Sequence, residues 1–179
     1  VRIKRLTLST GSNWSHIYIE GDYAYMVSND ASRFAIVDIT NPYNPVEKYN
    51  STTNISAPQE IQVKGRYAYI LNGTSLRIFD ISSSTAPTMA KSVAITSTAY
   101  SLRVEGDYAY IGTNGNSYAI VNVKDVANAY KVTEQTISGS GTIDAMDISG
   151  RYGVLLGGTN LYTLELKGAD VASLIAHSA

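Results

Sequence analysis

The 179-residue chain contains no cysteine, which excludes disulfides, thiol catalysis and thiolate metal ligation. Histidine is nearly as scarce, with only His16 and His177. Two remote histidines without a ligand spacing such as H-x-x-x-H make a poor metal site, so no metal and no cofactor are expected. No basic run or stripe is present, and 14 basic residues against 15 acidic ones leave a net charge of −1. Nucleic acid and anionic membrane surfaces are therefore not expected partners. No apolar stretch approaches the roughly 18 residues of a membrane span, and the N-terminus lacks the character of a signal peptide. There is no G-x-S-x-G nucleophile motif. The glycine-rich stretches "GTNGN" (112–116) and "GGTN" (157–160) lead into strand-like residues. A phosphate cradle needs a helix N-terminus at that point, so they read as hairpin turns. Val1 rather than Met opens the chain, which reads as a processed mature protein or a piece of a longer one.

What the chain has is a repeated phrase. "EGDYAY" stands at 20–25 and again at 105–110, with "KGRYAY" at 64–69 and "SGRYGV" at 149–154. The glycines Gly21, Gly65, Gly106 and Gly150 are 44, 41 and 44 residues apart, the period of propeller blades. Within each unit, Gly with Asp, Arg or Asn supplies the tight turns, and the runs between are rich in Val, Ile and Tyr. Inner runs precede each turn, and Ile17, Ile61, Leu102 and Met146 hold one position in them. Ile19, Val63, Val104 and Ile148 hold the position two later. Apolar residues at period two predict a buried face on every inner strand. A third run ("FAIVDIT", "LRIFDIS", "YAIVNVK", "LYTLELK") and a weaker outer run complete the unit.

The fold class expected is all-β, a β-propeller of four repeat units spanning 1–179, either a closed four-bladed ring or a fragment of a larger propeller. Blades are placed at about 14–53, 58–96, 99–138 and 142–179. Residues 1–9 are placed as an outer strand, because "RIKRLTLSTGSNWSHIYIEGDY" aligns without a gap to "KVTEQTISGSGTIDAMDISGRY". In the closed ring, Val1, Ile3, Leu6 and Leu8 join the sheet of "LYTLELK" and leave no free edge. The terminal "KGADVASLIAHSA" reads either as a competing outer strand in phase with the others or as a short helix.

"GDYAYMVSNDASRFAIVDITNPYNPVEKY" resembles the LVIVD repeat, whose pattern runs G-x-Y-A-Y-V, then I-V-D-V/I-S/T, then x-P-x-x-P. The second unit matches through "GRYAYILNGTSLRIFDISSSTAP", the third keeps "GDYAYIGT" and "AIVNV" but has Asn122 for Asp and no prolines, and the fourth departs further. The resemblance implies a β-propeller, exported or on a cell surface. It transfers no catalytic residue.

Four positions invite a site reading. Asp38, Asp80, Asn122 and Glu165 end the third strands. Recurrence at blade spacing favours acceptors for the amides of the adjoining turn over a ring of metal ligands. The inner strands carry a polar set, His16, Glu60, Gln62, Arg103, Asp144 and Asp147, where a propeller channel would run. A carboxylate pair such as Glu60 and Asp147 is the arrangement a glycoside hydrolase or lyase would need. Arg103 among them favours ion pairing between neighbouring blades instead. Tyr23, Tyr67, Tyr108 and Tyr152 recur with the blades and read as packing residues. Trp14, with Asn13 and Ser12, and Tyr43 in "NPYNP" do not recur, and these loop residues are the candidate contacts for a partner. Asn13, Asn50, Asn54 and Asn72 head N-x-Ser/Thr sequons and are candidate glycosylation sites. The function expected is a noncatalytic, extracellular or cell-surface platform. Its expected partner is a protein or glycan, or another copy in a homo-oligomer or head-to-tail polymer.

Overall fold

A computed structural model describes residues 4–10, 13–139, 141–167 and 171–175. It holds four antiparallel sheets, each a four-stranded meander. The first comprises β1 (His16–Glu20), β2 (Tyr23–Ser28), β3 (Arg33–Asp38) and β4 (Val46–Ser51). The second comprises β5 (Pro58–Lys64), β6 (Tyr67–Asn72), β7 (Ser75–Asp80) and β8 (Thr88–Ala94). The third comprises β9 (Ala99–Glu105), β10 (Tyr108–Thr113), β11 (Ser117–Asn122) and β12 (Tyr130–Thr136), with a single 3-10 turn at Val126–Asn128 before its last strand. The fourth comprises β13 (Ile143–Ser149), β14 (Tyr152–Gly157), β15 (Asn160–Lys167) and β16 (Val171–Ile175). Each repeat of the sequence is one sheet, the blade of a propeller.

Two local devices set each blade. The opening glycines all adopt positive φ, Gly21 at 56° and Gly150 at 60°, as the two-residue turn between first and second strands requires. One backbone bond then recurs four times: the amide that follows Asp38, Asp80, Asn122 or Glu165 donates to the carbonyl of the turn residue. The pairs are Ile39 to Asp22 (2.8 Å), Ile81 to Arg66 (2.9 Å), Val123 to Asp107 (2.8 Å) and Leu166 to Arg151 (2.7 Å).

The chain divides into two compact units, residues 1–73 with 77–92 and residues 74–76 with 93–179. The core of each lies between sheets. Register gives every sheet two faces, which we call front and back. In the first sheet Ile17 stands opposite Met26 and Ile19 opposite Ala24 on the front, while Tyr25 opposes Ile36 and Val27 opposes Phe34 on the back. In the first unit, that back face packs on Ile61, Val63, Ile70 and Phe79 of the second sheet's front. In the second unit, Tyr110, Tyr118 and Ile120 on the back of the third sheet pack on Met146, Ile148, Leu155 and Leu164 on the front of the fourth. The same back-on-front contact is thus made once in each unit.

Two expectations are corrected. β15 is flanked by β14 and β16, so the terminal "VASLI" supplies the fourth sheet's outer strand. Residues 4–10 form no strand, whereas Val1 and Ile3 lie outside the described residues. The outer position was already taken by a β-compatible segment connected directly to β15, and a short local connection closes more readily than one from the far end of the chain. The second correction concerns Ile17 and Ile19. Both are 60% exposed, whereas Ile61 and Met146 at the same position are buried against the back of the other sheet of their own unit.

Candidate functional site

The inner-strand polar residues divide between the units, with His16, Glu60 and Gln62 in the first and Arg103, Asp144 and Asp147 in the second. Glu60 and Gln62 stand opposite Leu71 and Tyr69 on the back face of β5. Arg103 stands opposite Tyr110 on β9, and Asp147 opposite Val154 on β13. The structure brings these last two together: Arg103 Nε donates to Asp147 Oδ1 across 3.0 Å. The guanidinium, with the Ile148 amide donating to the same oxygen at 3.1 Å, holds the Asp147 carboxyl below its usual value. Asp144 falls at a bulge in β13 between Ile143 and Ala145 and has no partner residue in the ladder. The same bulge recurs in β5 and β9. His16 is exposed at the start of β1, and partial desolvation lowers the basicity of its imidazole.

The strand-end position behaves as an acceptor in three blades. Asp38 Oδ1 takes the Thr40 amide at 3.0 Å, Asp80 Oδ1 the Ser82 amide at 3.0 Å and Asn122 Oδ1 the Lys124 amide at 3.1 Å. Glu165, one methylene longer, accepts from the Arg151 guanidinium. Among the described residues, no group of three or more His, Asp or Glu side chains could hold a metal ion.

Of the loop residues, Trp14 is half-buried just before β1 and stands apart from the first unit's core cluster. Asn13 Nδ2 donates to Asp30 Oδ2 at 2.7 Å, and Ser12 lies outside the described residues. Tyr43 is 59% exposed, in a turn fixed by its amide donating to Asn41 Oδ1 at 3.0 Å. The sequons differ sharply in access. Asn13 and Asn54 are exposed. Asn50 donates to Thr10 Oγ1 at 2.9 Å and accepts from Arg33 at 3.1 Å. Asn72 is buried, accepting the Ser56 amide at 2.9 Å and donating to Ser56 Oγ at 3.0 Å. As a glycosylation site Asn72 is therefore corrected: the folded turn encloses its amide.

Two glutamates that composition did not single out do structural work. Glu47 on β4 accepts the Ser9 amide at 2.9 Å and the Ser9 hydroxyl. Burial pushes its carboxyl up, but the Ser9 bonds outweigh that and leave it below its usual value. Glu134 on β12 accepts the Thr96 amide at 3.0 Å, the Ser97 amide at 3.3 Å and Lys131 Nζ at 2.6 Å. It lines an open groove of about 470 Å³ with Thr96, Lys131 and Thr133. The signal in sequence is a shared one, Leu8-Ser-Thr and Ile95-Thr-Ser ahead of an inner strand. Only the fold places a glutamate above it.

The model of the "Beta propeller domain" family matches residues 2–164. The chain belongs to that family. Among solved structures, it is similar to a protein from Lactobacillus plantarum with a TM-score of 0.80 at 14% identity, covering 94% of this chain and 56% of that one. A candidate 6-phosphogluconolactonase from Bacteroides uniformis gives 0.77 at 14%, covering 90% and 53%. The computationally designed Ika4 protein gives 0.69 at 10%, covering 90% and 96%. The chain thus spans about half the length of the Lactobacillus plantarum and Bacteroides uniformis proteins, and at these identities the likeness is one of fold. No curated protein matches the chain. Among the described residues, no helix is long and apolar enough to cross a membrane.

Proposed function

We propose that this propeller domain is noncatalytic and serves as a rigid platform, exported or on a cell surface, for a protein or glycan partner or for assembly with itself. The repeats are assigned to the LVIVD type on the motifs of the first two units. The observation that carries the reading is the Arg103–Asp147 pair, 3.0 Å apart. A carboxylate bound to a guanidinium and held below its ordinary pKa is ionised near neutral pH and has no proton to give, the opposite of the raised acid that glycoside cleavage needs. Glu60, the other carboxylate a hydrolase reading would use, belongs to the first unit and Asp147 to the second. The loops that carry Trp14 and Tyr43 are the surfaces assigned to a partner. The test is turnover of a panel of polysaccharides by the wild type and by Asp147→Asn and Glu60→Gln. The expected result is no turnover by any of the three; turnover by the wild type that either substitution removes would overturn the reading.

A further inference from the structure

The chain contains two Asn-Gly steps, Asn72-Gly73 and Asn114-Gly115. Such a step carries its own nucleophile, because the glycine nitrogen has no neighbouring side chain to shield it and can close on the asparagine side-chain carbon. What holds that nitrogen and that side chain decides whether it does. The fold treats the two steps differently.

The difference begins with a bond that two blades share. Gly73 stands eight residues after Gly65, and Asn114 eight residues after Gly106. In both blades the amide at this position donates to the carbonyl just ahead of the inner strand, Gly73 to Ala57 at 3.0 Å and Asn114 to Thr98 at 2.9 Å. In the second blade that amide is the glycine nitrogen of the step. In the third blade the step lies one residue later, so the bond takes the asparagine amide instead, and among the described residues the Gly115 amide makes no hydrogen bond.

The side chains differ in the same sense. Asn72 is 4% exposed and fixed at both ends, with Oδ1 accepting the Ser56 amide at 2.9 Å and Nδ2 donating to Ser56 Oγ at 3.0 Å. Asn114 and Gly115 are exposed. Asn114 Oδ1 accepts the Thr98 amide at 3.1 Å, while its Nδ2 makes no hydrogen bond among the described residues. The Thr98 amide polarises the side-chain carbonyl and supports the oxyanion that an attack would form there. The Asn114 main-chain oxygen lies 3.0 Å from Thr113 Oγ1 and 3.4 Å from Ser117 Oγ. A hydroxyl donating to it draws electron density from that peptide unit and makes the Gly115 N–H more acidic.

We infer that Asn114 is a site of spontaneous deamidation in the folded domain, and that the fold protects Asn72. The deprotonated Gly115 nitrogen attacks Asn114 Cγ; the N–Cγ bond forms, the Cγ–Nδ2 bond breaks, and ammonia leaves with a proton from solvent. Water then opens the succinimide at either carbonyl, giving an aspartate or an isoaspartate whose main chain runs through the former side chain. Either product adds a negative charge to the turn between β10 and β11. The isoaspartate also lengthens that turn beside Asn116, whose amide donates to the Gly141 carbonyl at 2.9 Å and so ties the turn to the connection leading into β13.

The test is incubation of the purified 179-residue chain in mildly alkaline buffer below its melting temperature, followed by tryptic mapping with mass spectrometry. Trypsin separates the two steps into residues 67–77 and 104–124. The expected result is that 104–124 gains the mass difference between an amide and an acid, placed at Asn114 by fragmentation and appearing faster as pH rises, while 67–77 is unchanged. In denaturant both peptides should change at comparable rates, because the two steps then share one local chemistry. Asn114→Gln, whose longer side chain closes a ring far more slowly, should lose the acidic band that the native chain develops on isoelectric focusing. A native chain in which Asn72 changes as fast as Asn114 overturns the inference. So does one in which Asn114 stays intact while the denatured chain changes, or an acidic band that persists in Asn114→Gln.

Discussion

Arg66, in the turn that opens β6, forms an ion pair with Asp80 at the end of β7, and its guanidinium lies 5.3 Å from the centre of the Tyr67 ring. Arg151 repeats both contacts in the fourth blade, with Glu165 and with Tyr152 at 5.4 Å. The other two blades carry an aspartate in that turn, and their charges are rearranged to suit. Asp38 pairs with Lys48 at 3.3 Å, the strand-end residue of the third blade is the neutral Asn122, and Asp107 lies 3.7 Å from Lys124. The turn residue and the strand-end residue are thus chosen together. Arg66→Asp should lower the melting temperature by setting two carboxylates side by side. Adding Asp80→Asn reproduces the third blade's pair and should recover most of the loss.

The same pair carries a pH dependence. Hydrogen bonding to Arg66, with the Ser82 amide, holds the Asp80 carboxyl down at about 2, against 3.8 for the free side chain. A carboxyl lowered by folding contributes stability that is complete above its unfolded value and is lost as pH falls through its folded one. Thermal melts between pH 5 and 2 should therefore show the wild type losing more stability on acidification than Arg66→Gln, with the difference confined to pH below about 4.

Gly112 marks a close approach in the second unit. A Cβ there would stand 2.3 Å from Ser101 Oγ, 2.5 Å from Ile143 Cγ2 and 2.7 Å from the Ile143 carbonyl oxygen. The Ser101 hydroxyl donates to that same carbonyl at 2.9 Å. Gly112→Ala should cost about 1–3 kcal/mol by overpacking. Adding Ser101→Ala should relieve only part of this, because the backbone oxygen of Ile143 remains. Chemical denaturation of the two variants measures both effects.

Trp14→Ala tests the loop assigned to a partner. The side chain is half-buried and stands outside the core cluster of its unit. The melting temperature should fall by no more than a few degrees for a domain of this size, while binding to a protein or glycan partner on an array falls. A loss of about 3–5 kcal/mol would instead mark it as a core residue.

The repeat made most of the fold legible, because turn glycines and period-two apolar residues encode each blade locally. Asp38, Asp80 and Asn122 were readable for the same reason, since each bonds an amide two residues on. The ion pairs that Asp80 and Glu165 make with Arg66 and Arg151, each fourteen residues away, were not, because no local pattern records them. Ile17 and Ile19 look in sequence like Ile61 and Val63; whether the face they share is covered is decided by packing between sheets, which no local pattern records. The pairing of Arg103 with Asp147, 44 residues apart, matches the blade period and so was anticipated in kind. The bulges beside Asp144 and Glu60 were not, since one extra residue leaves the alternation intact on either side.

The claim that the inner-strand carboxylates are structural rather than catalytic is tested most directly by the titration of the Asp147 carboxyl carbon, followed by NMR in the wild type and in Arg103→Met. The account predicts a midpoint below the ordinary aspartate value of 3.8 in the wild type, rising toward it once the guanidinium is removed. A wild-type midpoint above the ordinary value, as a general acid requires, would contradict it.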